Sequence, residues 1–78
     1  MIGTFNIQEI NFDQNSLVIK IDGNSFNIPL DKASEKLEKA NDFQRNLYKI
    51  SPSGYGIHWP LIDEDLSVEF LLKLAADG

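Results

Sequence analysis

Apolar and polar residues alternate along positions 10–28, the pattern of strands with one buried face. Asp22-Gly23 interrupts the alternation, and this dipeptide favours a two-residue type I′ turn, whose central residues both need positive φ. With a second turn at Gln14-Asn15, the predicted cross-strand pairs are Ile21 with Asn24, Ile19 with Phe26, Leu17 with Ile28, Phe12 with Leu17 and Ile10 with Ile19. These pairs put seven apolar side chains on one face, which a one-residue slip would scatter: Ile10, Phe12, Leu17, Ile19, Ile21, Phe26 and Ile28. The pattern predicts an N-terminal three-stranded antiparallel meander.

The start of the first strand breaks this alternation. Phe5 and Ile7 are one step out of phase with Ile10 and Phe12. A β-bulge near Gln8-Glu9 would restore the phase, because a bulge inserts one extra residue into a strand. The alternative is that Phe5 and Ile7 pack on the far face, where they would form an interface patch.

The middle of the chain predicts a helix. Leu30, Ala33, Leu37 and Ala40 recur at helical spacing, and Asp31 is placed to cap the helix N-terminus. Asn41 and Gln44 have the spacing of a capping box, which predicts one further helical turn through Arg45.

The second half predicts a short hairpin and a final helix. Residues 47–51 alternate as a strand, residues 51–54 have turn composition, residues 55–59 form the return strand, and Pro60 ends it. Ser67 caps the last helix, whose core stripe is Val68, Leu71, Leu72 and Ala75. The predicted fold is α+β, with the meander, a middle helix, a second short hairpin and a C-terminal helix packed on the sheet, all in a single domain over residues 1–78.

Composition narrows the classes of function. The 78 residues include 12 acidic and 7 basic side chains, for a net charge of −5, and no cysteine. An acidic chain repels phosphate backbones, so direct nucleic-acid binding is not expected and a basic protein partner is favoured. Lys32, Lys36 and Lys39 form either a basic strip or a solvated face supported by Glu35. No apolar run is long enough for a membrane helix, and Met1–Asn6 lack a charged leader region, so we expect a cytoplasmic protein without a membrane role.

His58 and the acidic residues that follow it are the one combination that could carry chemistry. His58 with Asp63, Glu64 or Asp65 offers a general base or a metal ligand. A chain with one histidine and no cysteine lacks ligands for a tight transition-metal site, and no nucleophile motif accompanies them. We therefore expect no enzyme, no metal and no cofactor. The preferred interpretation is structural, with His58 bonding a carboxylate or the backbone across the last loop.

Two aromatic residues stand beside glycines in this segment. Trp59 and Tyr55 belong either to the core or, if they are exposed, to an interface where aromatic side chains dominate binding. Gly54 and Gly56 lack the spacing of a phosphate loop, so they indicate backbone freedom or a close approach.

The segment Gly54-Tyr-Gly-Ile-His-Trp-Pro60, followed by Asp63-Glu-Asp-Leu-Ser-Val-Glu69, resembles the small bacterial domain-of-unknown-function family numbered 2442. Asp22-Gly23 and Gln44-Arg45 fit the same pattern, whereas Asn41-Asp42-Phe43 departs from the Thr-Pro-Glu or similar expected there. The resemblance implies a small α+β domain without established catalytic residues. It also implies forms fused to a helix-turn-helix, and pairs with a second small protein that look like toxin–antitoxin modules. Because the sequence reaches Gly78 directly after the last helix, we expect no helix-turn-helix here.

Three hypotheses of function follow. The first is a non-catalytic protein-binding module, the acidic, antitoxin-like member of a two-protein pair, which binds the product of a neighbouring gene. Its candidate contact residues are Tyr55, His58, Trp59, Asp63, Glu64 and Asp65. The second is a ligand-sensing or regulatory domain of a transcription system, with a homodimer through the meander edges as one form and a basic strip of Lys32, Lys36, Lys39 and Arg45 as its expected mark. The third is a hydrolase or metal enzyme built on His58, which requires an open cleft around that residue.

Overall fold

The elements of the chain follow the predicted order, with two differences. A computed structural model describes residues 5–77, so most of the N-terminal stretch used for the leader expectation lies outside the described residues, as does Gly78. The strands are β1 (Ile7–Asp13), β2 (Ser16–Ile21), β3 (Asn24–Pro29), β4 (Lys49–Ile50), β5 (Gly56–Trp59) and β6 (Glu64–Ser67), and the helices are α1 (Leu30–Ala33), α2 (Glu35–Lys39), α3 (Asp42–Asn46) and α4 (Val68–Asp77).

The N-terminal meander has the predicted register. Strands β1, β2 and β3 form an antiparallel sheet in that order, and all five predicted cross-strand pairs are present. Asp22 and Gly23 have φ of 50° and 85°, the two positive values that a type I′ turn requires. The first sheet is therefore fixed by its turns and by its single apolar face.

The predicted β-bulge is also present. The register of β1 on β2 shifts between Ile7 and Glu9, so Ile7 lies opposite Ile21 and Glu9 lies opposite Lys20. The bulge brings Ile7 back to the core side, and both Phe5 and Ile7 are half-buried against the core. This packing replaces the alternative in which the two side chains form an interface patch.

The prediction of a single middle helix is wrong. Ser34 has extended φ and ψ of −166° and 117°, which divides the segment into α1 and α2. Asp31 does not cap α1: Pro29 occupies the cap position, and no side chain bonds there. The predicted apolar stripe does face the core, since Leu30, Ala33 and Leu37 are buried.

Ser34 is buried and bonds in two directions, which explains the break. Its Oγ accepts a bond from the Leu37 amide at 3.1 Å, which caps α2, and donates to Glu64 Oε2 at 2.5 Å. The residue that divides the helix therefore also ties α2 to β6. A serine inside a helix cannot make both bonds, so the chain adopts extended geometry at this point.

Replacing Ser34 with alanine is expected to lower the free energy of unfolding by roughly 2 kcal/mol, from the lost cap and the lost bond to Glu64. Asn41→Ala is the matched control, because Asn41 caps α3 in the same way through Gln44 but is exposed. That control should cost only about 1 kcal/mol. Urea unfolding followed by circular dichroism measures both, and equal losses would show that the bond to Glu64 contributes nothing.

The second sheet is larger than the predicted hairpin. Strand β5 pairs with β4 on one side and, on the other, with β6, a strand that was not predicted. The strands are also shorter than expected, because residues 47, 48, 51 and 55 lie outside them. Asp63 has φ of 51°, which turns the chain from β5 into β6. Asp63, Glu64 and Asp65 therefore do not all precede a helix: two of them belong to a strand.

One core joins the two sheets and the helices. Helix α4 packs against β3, α1 and β6, and Ser67 caps it by accepting a bond from the Phe70 amide at 3.1 Å, as predicted. The buried apolar residues come from every layer: Ile10, Leu17, Ile19, Ile21, Ile28, Leu30, Ala33, Leu37, Ile57, Trp59, Val68 and Leu71. The α+β fold class is confirmed. The inner face of the second sheet is thus packed, and its outer face is left for the site.

Candidate functional site

The outer face of the second sheet carries two rows of side chains. In β5, Ile57 and Trp59 are buried on the inner face, so Gly56 and His58 lie on the outer face. The strand register and the Ser51 N–H bond to the Gly56 carbonyl place the neighbours of these two residues. The rows are Lys49–His58–Asp65 and Ser51–Gly56–Ser67. The side chains of the first row, which we call the charged row, are therefore long and include a lysine and an aspartate. The side chains of the second row, the short row, are small.

His58 and Asp65 form the central contact of the charged row. The two residues are cross-strand partners, and His58 Nδ1 lies 2.7 Å from Asp65 Oδ1. The bond orients the imidazole, and in the neutral ring it makes Nδ1 the donor and Nε2 the acceptor. The sequence predicted that His58 bonds a carboxylate or the backbone, and the register of β6 places Asp65, of the three acidic residues, opposite it.

An open groove of about 490 Å³ lies over these rows. It extends from the charged row across Gly56 to the turn at Pro52, and its walls are largely apolar. Its lining residues are Lys49, Ile50, Ser51, Pro52, Gly56, Ile57, His58, Asp65, Leu66 and Ser67. Because His58 lines an open groove, the geometric condition set for the third hypothesis is met.

The two serines of the groove are held by the backbone. Ser51 Oγ accepts bonds from the amides of Tyr55 and Gly56, both at 3.0 Å. Ser67 Oγ accepts the bond that caps α4. Both hydroxyl oxygens therefore stabilise the turn and the helix end, and within residues 5–77 no hydrogen bond joins either of them to His58. A nucleophile activated by a base needs such a contact.

The three acidic residues have separate roles. The backbone carbonyl of Asp63 accepts a bond from Lys36 Nζ at 3.1 Å, Glu64 bonds Ser34, and Asp65 bonds His58. Within residues 5–77, no three histidine or acidic side chains come together as metal ligands. The cluster seen in the sequence is thus divided between the two sides of β6.

The two aromatic candidates differ in burial. Trp59 is fully buried between Phe12 and Tyr48, and its Nε1–H donates to the Arg45 carbonyl at 3.0 Å. It therefore belongs to the core and is withdrawn from the partner-binding candidates. Tyr55 is 49% exposed in the turn that leads into Gly56, and it stays a partner-binding candidate.

The basic strip expected of a transcription regulator is not assembled. Lys39 pairs with Glu35 at 3.2 Å, as predicted for a solvated face, and Lys36 bonds the Asp63 carbonyl. Arg45 donates to the carbonyls of Gln14, Leu37 and Glu38 at 2.9–3.2 Å, so its guanidinium holds the fold together.

Comparison with known proteins adds a family and a fold. The model of a family described as "Protein of unknown function (DUF2442)" matches residues 7–77. The chain belongs to this family. A crystal structure of a protein of unknown function from Rhodospirillum rubrum is similar, with a TM-score of 0.70 and 26% identity over 91% of this chain and 88% of that one. No curated protein matches the chain.

Sequence reasoning about this DUF2442 protein missed part of the groove. Lys49, Ile50, Pro52 and Leu66 line it, but none of them was a candidate. Lys49 was detectable, because alternation places it on one face of the predicted hairpin, although its pairing with His58 depends on the loop length. Leu66 was not detectable, since the sequence predicted that its segment leads directly into a helix.

The described residues include no helix long and apolar enough to span a membrane.

Proposed function

We propose that this DUF2442 protein is a non-catalytic protein-binding module of the cytoplasm, the antitoxin-like member of a two-protein pair. The observation that carries the proposal is the outer face of the second sheet. The rest of the chain packs the inner face of that sheet but leaves the outer face open, with a largely apolar groove, and Tyr55 is exposed in the turn that leads into β5. Exposed apolar surface of this kind is typical of a protein interaction site.

The charge of the surface favours a basic partner. Asp65 lies on the outer face with 77% of its side chain exposed, Asp63 is exposed immediately before β6, and the whole chain carries −5. Complementary charge steers association and selects partners more than it adds affinity. The pairing with a neighbouring gene product rests on the family resemblance, which is an analogy.

The hydroxyl groups support a binding role over catalysis. Both serines in the groove stabilise local backbone, and Asp65 holds His58 in place. Contact residues of a binding surface need such fixed positions, because side chains already ordered lose less entropy on association.

Co-expression with the neighbouring gene product, followed by pull-down, tests the module. We expect a stoichiometric complex that Tyr55→Ala weakens about thirtyfold, since an exposed aromatic at an interface centre contributes roughly 2 kcal/mol. Phe43→Ala is the matched control, because Phe43 is 68% exposed but belongs to α3 and not to the second sheet or its turns. Two soluble proteins that do not associate would overturn the proposal, and equal effects of the two variants would move the contact away from this face.

The volume of the groove favours a second candidate. About 490 Å³ falls within the range of roughly 300–1,000 Å³ that is usual for small-molecule sites. A ligand-sensing or regulatory domain of a transcription system would use the groove for its ligand and the remaining surface for its partner. The chemistry that lines the groove indicates which class of ligand to test.

A further inference from the structure

Gly56 is a glycine that the fold does not require. Its φ is outside the left-handed region, and a Cβ built on it would meet only the Leu66 carbonyl oxygen, at the ordinary contact distance of 3.6 Å. Glycine in a strand loses more conformational entropy on folding than other residues and has no side chain to pack. A larger residue would therefore favour the strand, and the reason for glycine must be sought outside the fold.

The missing side chain matters in the groove. Gly56 lies on the outer face in the short row, so a Cβ there would project from the groove floor. Its neighbours in that row are serines whose hydroxyl oxygens are bonded to the backbone. Glycine thus lowers the floor to the level of the peptide backbone between Ser51 and Ser67, with Pro52 at one end of the groove. This shape fits an apolar group that packs directly on the strand.

The charged row supplies polar contacts at one end of the groove. Lys49 forms no ion pair with any other described residue. His58 uses Nδ1 for Asp65, and no hydrogen bond to Nε2 occurs within residues 5–77. The Lys49 ammonium matches a carboxylate, and His58 is its cross-strand partner in the same row.

We propose that the groove binds a small organic acid, with its apolar body over Gly56 and its carboxylate at Lys49. The proposal gives a ligand class to the ligand-sensing candidate and does not depend on a protein partner. Lys49 sets the ligand class: it is the one cationic side chain among the described residues that line the groove and forms no ion pair there, whereas Asp65, the acidic side chain of the lining, is bonded to His58.

Phenylacetate, phenylacetamide and phenethylamine are suitable probes, since they share a ring but carry negative, zero and positive charge. We expect saturable amide shifts of the ¹⁵N-labelled 78-residue chain, confined to residues around 49–51, 56–58 and 65–67. Phenylacetate should bind with a Kd of about 1 mM, and phenylacetamide about tenfold more weakly, as for a ligand of about ten non-hydrogen atoms. Shifts elsewhere, equal binding of the three probes, or no saturation with phenylacetate would overturn the proposal.

Two variants distinguish an effect on ligand binding in the groove from an effect on folding. Gly56→Val should leave the melting temperature unchanged or higher, because a β-branched residue suits a strand, but should abolish phenylacetate binding. Lys49→Gln should reduce phenylacetate binding about tenfold, to the level of the amide, and leave phenylacetamide unaffected. A folded Gly56→Val protein that binds as the parent does would refute the role of Gly56. If that variant does not fold, Gly56→Ala is the substitute, with weakened binding expected.

Discussion

Replacing Trp59 with alanine is expected to lower the free energy of unfolding by about 3–5 kcal/mol, the range for truncating a buried aromatic side chain. The indole is fully buried, and its centroid lies 6.5 Å from the Phe12 ring and 6.3 Å from the Tyr48 ring. Its Nε1–H also bonds the Arg45 carbonyl, which joins β5 to α3. A chain of 78 residues has a total stability of about 4–12 kcal/mol, so this substitution removes a large part of it.

Urea unfolding followed by far-UV circular dichroism is the measurement for Trp59. Fluorescence cannot serve, because Trp59 is the only tryptophan and the variant lacks it. Trp59→Phe is the control: it keeps an aromatic ring but removes the Nε1–H donor and some volume, so it should cost only about 1–2 kcal/mol. If the alanine variant loses less than about 1 kcal/mol, the indole does not pack as the structure shows.

The meander was predictable from the sequence because two independent constraints agree. Asp22-Gly23 specifies a two-residue turn, and that turn brings apolar residues opposite apolar residues, as with Leu17 and Ile28. A one-residue slip would turn a whole strand toward water. The bulge near Gln8 was one of the two alternatives that the same reasoning left, since an inserted residue brings Ile7 into phase with Ile10.

The break at Ser34 could not be predicted from local pattern. Residues 30–40 keep helical spacing through the break, so periodicity alone favours one helix. The cause is a bond to Glu64, thirty positions along the chain. The hydrogen-bonding competition of serine is a local hint, but its partner is known only when β6 is placed.

Strand β6 is the reason that the site was predicted only in part. Its sequence Glu64-Asp-Leu-Ser67 is acidic, and acidic residues favour a helix N-terminus over a strand. Pairing with β5 overrides that preference. The sequence therefore identified His58 and three acidic residues, but only the register shows that Asp65 faces His58 and that Glu64 does not.

Gly54 presents the opposite case to Gly56, and its replacement by alanine is expected to cost about 3 kcal/mol or more. Its φ is +71°, and an added Cβ would lie 1.9 Å from the Phe5 carbonyl oxygen, where no real Cβ fits. The N-terminal segment would have to move away, which would break the bond from the Phe5 amide to the Ser53 carbonyl and withdraw Phe5 from the core.

Gly23→Ala isolates the steric part of that cost. Gly23 has φ of +85°, but nothing lies within 4 Å of its added Cβ, so only backbone strain of about 1–2 kcal/mol is expected. Urea unfolding of both variants gives the difference, which measures the close approach of Phe5 to the turn at Gly54. Equal losses would mean that this approach is not maintained in solution. A larger loss for Gly54→Ala, together with a neutral or stabilising Gly56→Ala, would assign the two neighbouring glycines to different tasks: Gly54 to the fold, and Gly56 to the groove.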